Sequence, residues 1–437
     1  MSALWSDLPA NLQDMLRLVL LVLPALILGL AVVRGFAPGP LVRALLKRFA
    51  WANGVFVVLI AASVALGIGL ISQERGVRLG TAAAAEKFEL IVSAPGSEVT
   101  MMLASVYLHP TQVPLLSGSA YAEIERHPMV ELAAPLAFGD SWNGAPIIGT
   151  TSTFVAHLTD DAWEGRLWTT VREGVAGAHV PLSIGQTIEP AHGHGTAAVA
   201  GAHAGETITI VGRLAPTGSP WDNAILIPIE DVWLTHGLAN GHAPARADQL
   251  GGPFDAAYFP GTPAAVVKAK SLGDAYALRA TFTREAEMMA FFPGAVLSQL
   301  YRVMGDIRQA MSAMALLSQA LVALAVLLGL FIFTQVFSPQ MAMLRALGAP
   351  RRFVMAIVWL YATSLLAFGA LLGLALGVFA ARLISHYVSA ETGISLPATI
   401  GWREVHLIAA FTSLASLLSI LPAWISSQRP VIDALRR

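Results

Sequence analysis

Two apolar blocks flank a long polar insert, and that layout limits the chain more than any single motif does. Apolar runs lie near residues 15–33 and 51–72, and again near 312–336, 353–384 and 404–426. Each run holds about 18–20 residues or more, which at about 1.5 Å per residue crosses a hydrocarbon core of about 30 Å. Soluble domains carry about 25% charged residues. This chain carries 13%, with 55% hydrophobic residues and a mean hydropathy of +0.64. The charge is missing from the runs and present in residues 73–311. The pattern predicts an α-helical membrane domain of about five transmembrane helices, with a large α+β extracytoplasmic domain inserted between the second and third spans.

Lys and Arg in short loops mark the cytoplasmic side. Residues 34–48 carry Arg34, Arg43, Lys47 and Arg48 without an acid, and residues 337–352 carry Arg345, Arg351 and Arg352 without one. The tail carries Arg429, Arg436 and Arg437 against Asp433. These three stretches are expected inside. The N-terminus, residues 73–311 and residues 385–403 are then expected outside, and the C-terminus inside. The first run lacks the basic flank of a cleaved signal, because Asp7 and Asp14 precede Arg17.

Within the insert, residues 88–93, 206–212, 224–229, 264–268 and 277–283 read as short strands: β-branched, partly alternating, and bounded by Gly, Pro or Asp. Residues 120–127 and 229–236 read as short helices, and 190–205 as a Gly/Ala/His loop. From Ala295 the pattern becomes helical, with Pro293-Gly294 as the last breaker before Phe337. A continuous helix into the third span is expected, with Gly305 or Met311 as the places where it would break. Asp160-Asp161 reads as a solvated turn.

Gradient-driven transporters need ionisable groups at membrane depth. In these runs Arg17, Arg382, His406 and the polar Asn53 sit at the ends, and the interiors hold Ser, Thr, Gly and aromatics. A net charge of −1 gives no electrostatic case for nucleic acid. The chain has no cysteine, hence no disulfide or thiolate metal site. It has no Gly-x-x-x-x-Gly-Lys-Ser/Thr nucleotide loop and no Gly-x-Ser-x-Gly elbow, so neither ATP use by that route nor nucleophilic hydrolysis is indicated. Gly369, Gly373 and Gly377 repeat at four-residue spacing on the fourth span, a pattern that lets helix backbones approach closely, within the subunit or between two.

The loop between the third and fourth spans reads Met341-Ala-Met343-Leu344-Arg345-Ala-Leu347-Gly348-Ala-Pro-Arg351-Arg352-Phe-Val. The C-terminus reads Pro422-Ala-Trp-Ile-Ser-Ser-Gln-Arg429-Pro430-Val-Ile-Asp-Ala434-Leu435-Arg436. Both resemble MacB/FtsX-type (type VII) ABC transporter permeases. The first is similar to the family's cytoplasmic coupling loop, the second to its ending. Val211-Gly212-Arg213 through Gly218 is similar to a recurrent stretch of the MacB-like periplasmic core domain. The resemblance covers residues 38–437. Two departures stand out: Ser338-Pro339-Gln340 replace the charged residues before the coupling helix, and the first span is extra.

The resemblance implies a division into 1–37 (extra transmembrane segment), 38–72 (amphipathic stretch and span), 73–311 (periplasmic core domain and stalk) and 312–437 (FtsX-like permease domain with three spans and a cytoplasmic tail). It implies a non-catalytic permease subunit, multi-pass in the bacterial inner membrane. A separate ABC ATPase would bind ATP and Mg, and two permease copies would pair as a homodimer in contact with membrane lipid. ATP-driven closure would move the periplasmic domain, for export or mechanotransmission of lipid, lipoprotein, peptide or other periplasmic cargo. Met343, Leu344, Arg345, Leu347, Gly348, Arg351 and Arg352 would couple to the ATPase, with Arg429, Pro430, Ala434, Leu435 and Arg436 as the C-terminal cytoplasmic motif. A second expectation is an FtsX-like scaffold that activates a periplasmic partner protein such as a hydrolase or receptor.

A third expectation rests on the histidines, nine of eleven of which fall in the insert. His192-Gly-His194 with His203 suggests zinc-linked transport or sensing, since neutral imidazole is a common zinc ligand. Glu189, Glu206 or His242 would complete such a site.

Overall fold

The computed structural model describes residues 8–109, 111–193, 205–336 and 338–428, with only part of the side chains between 305 and 338. The chain divides into two compact units. One comprises Met1–Gly76, Asp306–Ser385 and Pro397–Arg437, and the other Val77–Gly305 with His386–Leu396.

The first unit is helical. Among the described residues four helices are long and apolar enough to cross a membrane: Ala10–Val33, Ala50–Ala84, Arg351–Thr392 and Trp402–Gln428. The run expected as the third span forms the helix Gly305–Val336, within which Leu316–Ala325 is a described apolar segment. The expected continuous helix is interrupted: Pro293–Val303 ends at Met304, and a new helix starts at Gly305. Met304 stays in the right-handed region (φ −74°, ψ −9°) and still donates to the Leu300 carbonyl, so the interruption is a single residue. Gly305, a poor helix former, follows it. A short helix, Gly39–Arg48, opens after Pro38 and ends on Lys47 and Arg48, which suit the negative end of its dipole.

The core of this unit gathers Ile60, Val64, Ile68, Ile357, Leu365 and Phe411, and it takes in Val42 and Met341 from the short helices. Asn53, expected at a span end, is 5% exposed and accepts from the Tyr361 hydroxyl while its amide donates to the Leu46 carbonyl (3.0 Å). The extra first span packs beside the core. Val32 clusters with Ala356, Trp359 and Ala423, and a Cβ on Gly29 would sit 2.7 Å from the Trp359 ring. The His406 Nε2 lies 2.9 Å from the Asp14 carbonyl. Leu20, Ile27 and Leu30 on the same span face outward, as lipid-facing residues do.

The second unit is an α+β domain on one sheet that has eleven strands among the described residues. In chain order they are β1 (Leu90–Ser93), β2 (Val130–Trp142), β3 (Ala145–Thr150), β4 (Trp163–Gly165), β5 (Glu173–Ala176) and β6 (Thr187–Ile188). There follow β7 (Ala191–His192), β8 (Ile208–Leu214), β9 (Ile225–Pro228), β10 (Ala264–Ala269) and β11 (Met289–Phe291). The spatial order is β11-β1-β10-β2-β3-β9-β5-β8-β4, with β6 on β8 and β7 on β2. Alternate residues serve opposite faces. Leu90, Val92, Val267, Ile225 and Ile227 feed one core with Tyr121 and Phe282. Ile91, Val266 and Leu226 feed the other with Met102, Phe154 and Trp221. Helices therefore cover both faces.

Residues 277–283, expected as a strand, lie inside the helix Leu272–Arg284. Ser271 caps it by accepting from the Asp274 N–H (3.2 Å), and Ala275, Leu278 and Phe282 recur at helical spacing on the buried face. β2 had no sequence signal because Pro135 and Gly139 read as breakers. Pro135 is tolerated since that half of β2 pairs with β10 alone, and the ladder slips at Gly139 between Phe138 and Asp140. Residues 386–396 belong to this unit rather than forming a free loop. The Ser395 N–H donates to the Gly218 carbonyl (3.0 Å), and a Cβ on Gly80 would meet the Ser395 carbonyl at 2.5 Å.

Candidate functional site

The loop that resembles a coupling element is a short helix, Ser338–Ala346, followed by a tight reversal and the helix from Arg351. The reversal is a Schellman turn. The Ala349 N–H donates to the Leu344 carbonyl and the Gly348 N–H to the Arg345 carbonyl, both at 3.0 Å, with Gly348 at φ +99°. Only a residue without Cβ takes that conformation cheaply. Pro350 then begins the next helix, accepting from the Phe353 N–H.

The short helix has two faces. Met341 and Ala342 are buried, and Leu344 packs on the membrane core. Met343 and Leu347, one helical turn apart, are 60% and 80% exposed. Arg345 is half-buried and donates to the Ser427 carbonyl (3.4 Å), and Arg351 donates to the Gln428 side chain (2.9 Å). Two of the three arginines expected to dock a partner thus also tie the loop to the last helix. Arg352 is exposed. Arg429, Pro430, Ala434, Leu435 and Arg436 lie outside the described residues.

The three spaced glycines face the helix Ala50–Ala84 of the same chain. A Cβ on Gly369 would stand 2.6 Å from Ile60 Cβ, one on Gly373 2.7 Å from Val64 Cβ, and one on Gly377 2.9 Å from Ile68 Cβ. The two backbones approach so closely that no side chain fits between them. Between the same long helix and the last span runs an ion pair that was not anticipated from sequence. Both Arg75 Nη2–carboxylate distances to Glu404 are short, 2.6 and 2.7 Å, and Glu404 is fully buried. Glu404 also accepts from the Gly401 N–H (3.0 Å), and Arg75 donates to the Thr399 carbonyl (2.9 Å).

In the α+β unit the stretch around Gly212 and Arg213 is structural. The Arg213 guanidinium donates to the carbonyls of Ala178, Val180 and Leu182, and Gly212 has no room for a Cβ, with the Arg166 carbonyl at 2.4 Å. Buried Asp222 holds the following turn by accepting from the N–H groups of Thr217 and Gly218, each at 2.8 Å. Asp160 and Asp161 form an exposed left-handed turn, with Lys87 paired to Asp160.

His194 and His203 lie outside the described residues. His192 is described, and its neighbours are Asp140 and His236. The side chains considered as completing ligands are engaged elsewhere or apart: Glu206 pairs with Arg172, and buried His242 stacks on Phe254 beside Glu230. Glu189 is exposed. Burial pushes Glu230 up to about 7, against the pull of the Gly251 N–H, and it pushes His242 down. Both shifts favour a neutral pair.

Residues 312–431 match the family model of the FtsX-like permease C-terminal domain. No curated protein matches the chain. The matched segment contains the short helix, the Schellman turn, the glycine repeat and the Arg345 and Arg351 contacts, so this geometry lies in a segment similar to the FtsX-like permease C-terminal domain, which supports a permease of the FtsX/MacB type of ABC transporter.

Proposed function

We propose that this permease works by mechanotransmission: a separate ABC ATPase docks on the 338–352 turn, and its closure moves the α+β domain on the other side of the membrane. The docking face carries the reading. Met343 and Leu347 are large apolar side chains held out by a helix whose opposite face is buried and whose end is fixed by the Schellman turn. An apolar pair presented on a rigid, basic-flanked turn suits a protein groove. Force applied there would enter the helix Arg351–Thr392, and through the glycine seam the helix Ala50–Ala84. Both helices begin in the membrane unit and end in residues assigned to the α+β unit.

In this reading two copies pair with two ATPases in the inner membrane, residues 77–305 stand in the periplasm, and the cargo is lipid, lipoprotein, peptide or another periplasmic substrate. The ionisable groups of the apolar runs, Arg17, Arg382, Glu404 and His406, lie at their ends, which supports movement of the outer domain rather than an ion-coupled path.

The test is co-purification of the chain in lipid nanodiscs with the ATPase encoded beside it. Leu347→Asp and Met343→Asp should lower ATPase recovery about tenfold or more, the scale expected for losing an interface anchor of 1.4 kcal/mol or above. Membrane insertion and the thermal transition of the α+β domain should stay as in the wild type. Full recovery and full stimulation of ATP hydrolysis in both variants would remove the 338–352 turn as the docking site.

A further inference from the structure

The α+β unit holds a group of metal-ligating side chains that the coupling reading does not use. Asp140, His192 and His236 each offer one ligand atom, and the three atoms lie within 4.8 Å of one another. They come from three elements brought together by the fold. β7 pairs antiparallel with β2 so that His192 stands directly opposite Asp140, just past the bulge in β2. His236 closes the helix Ile229–Thr235.

The backbone around His192 is pinned. The Gly193 N–H donates to the Gly139 carbonyl (2.7 Å), and the Ser141 hydroxyl donates to the Gly193 carbonyl (2.6 Å). His236 is oriented by the Val232 carbonyl, 2.8 Å from its Nδ1. A carbonyl only accepts, so Nδ1 carries a proton and Nε2, on the Asp140 side, is the ring atom a metal would take. That is the outer-sphere arrangement by which metal-binding histidines are usually held.

The distances suit a small cation. His192 Nδ1 is 3.1 Å and His236 Nε2 is 3.8 Å from the same Asp140 oxygen. Donors about 2.0–2.1 Å from a tetrahedral ion stand about 3.3–3.5 Å apart, so both Asp140 distances lie within a few tenths of an ångström of that spacing, and all three ligand atoms lie within 4.8 Å of one another. The rings do not stack: their centroids are 5.5 Å apart and their planes meet at 58°. Exposure is graded in the useful direction. The Asp140 side chain is 5% exposed, that of His236 29% and that of His192 53%. The carboxylate forms the floor and the imidazoles the more exposed rim.

We propose that Asp140, His192 and His236 bind one divalent transition-metal ion of the zinc type in the α+β domain. Two imidazole nitrogens and one carboxylate oxygen are a donor set for zinc rather than for calcium or magnesium, which want oxygen ligands. The site does not depend on the mode of ATPase docking, and its test does not involve the ATPase.

The experiment uses the full chain in nanodiscs, stripped with chelator and titrated with Zn²⁺ in competition with a chromogenic chelator, then with Co²⁺ read by its visible ligand-field bands. The expected result is one ion per chain and cobalt bands of tetrahedral intensity. His192→Ala, His236→Ala and Asp140→Asn should each weaken Zn²⁺ binding at least tenfold and abolish those bands. The His179→Ala control, at an exposed histidine elsewhere in the unit, should change neither. Because Asp140 is buried, the metal-free thermal transition is measured for every variant, and His192→Ala, on the exposed rim, decides if the Asp140 variant fails to fold. Zinc affinity unchanged in His192→Ala and His236→Ala would overturn the proposal. So would binding that is lost only in a His194→Ala/His203→Ala variant, which would move the site away from Asp140.

Discussion

The membrane unit and the α+β unit both bury polar groups, but they satisfy them in opposite ways. In the membrane unit Glu404 keeps company with a cation: Arg75 meets both carboxylate oxygens. In the α+β unit Glu230 is equally buried, yet its carboxyl is held by the Gly251 N–H (2.6 Å) beside a histidine that burial keeps neutral. One site retains its charges by pairing them, and the other suppresses them. The difference teaches what each site can do. A charge pair fixes two helices against each other, whereas a neutral acid with a raised pKa makes stability depend on pH.

Breaking the pair should give the largest effect. Arg75→Ala leaves the Glu404 carboxylate buried with only the Gly401 N–H among the partners described above, a loss of about 3–5 kcal/mol for a severed buried ion pair. Glu404→Gln should cost less, because the amide oxygen still accepts from Gly401 and no charge is stranded there. Replacing both by apolar residues of similar volume should recover most of the loss. Thermal unfolding of the three variants in nanodiscs, followed by loss of the monodisperse peak, reports the order. If Arg75→Ala and the double variant prove equally unstable, packing rather than charge holds these helices.

The neutral site should show itself through pH. Glu230 rises from its ordinary 4.5 to about 7 by desolvation, reinforced by the Asp231 charge and opposed by the Gly251 N–H. Asp231 rises to about 6, again chiefly by burial. An acid whose folded pKa is raised binds more protons folded than unfolded. Its contribution is therefore fully present below the unfolded pKa and is lost as pH climbs to the folded value. The α+β domain should lose stability between about pH 4.5 and 7, by at most about 3 kcal/mol from Glu230 at about 1.4 kcal/mol per unit. His242, its Nε2 3.5 Å from Glu230, has a lowered pKa and acts in the opposite sense below its ordinary 6.5. The net fall should be steepest around pH 5–6, where Glu230 and Asp231 are both protonated chiefly in the folded state, and should level off above about pH 7. Glu230→Gln should flatten it. A pH-independent midpoint in the wild type would show that the pair is already ionised.

What could be read from the sequence divides along the same line. Local signals survived where strands were expected: 90–93, 225–228 and 264–269 fall on the stretches read as strands. The strand reading of 277–283 failed because aromatic and β-branched residues outweighed the helical recurrence of Ala275, Leu278 and Phe282. Pairings made by tertiary structure had no local signature. Arg75 and Glu404 are 329 residues apart, and Asp140 and His192 are 52 apart. His192 drew notice beside His194 and His203, which lie outside the described residues; Asp140, across a strand pair, and His236, at a helix end, also stand beside it. Those two neighbours had no local signature because a sheet ladder, not the chain, brings them to His192.

The glycine seam gives the smallest expected effect and the cleanest internal control. A Cβ on Gly373 would lie 2.7 Å from Val64 Cβ and 2.8 Å from the Ala61 carbonyl oxygen. The second contact is backbone and cannot rotate away, so the two helices must part. Gly373→Ala should cost about 1–3 kcal/mol, the range for overpacking a filled interior. On the facing helix, Gly69 has nothing within 4 Å of its would-be Cβ. Gly69→Ala adds the same methyl group where it meets no neighbour, and it should be neutral or stabilising by up to about 1 kcal/mol through helix propensity. The contrast separates close approach from mere helix flexibility. Were both alanines tolerated alike, the glycines would serve bending of the span, and force from the 338–352 turn would have to reach the helix Ala50–Ala84 through the core around Ile357 and Leu365 instead.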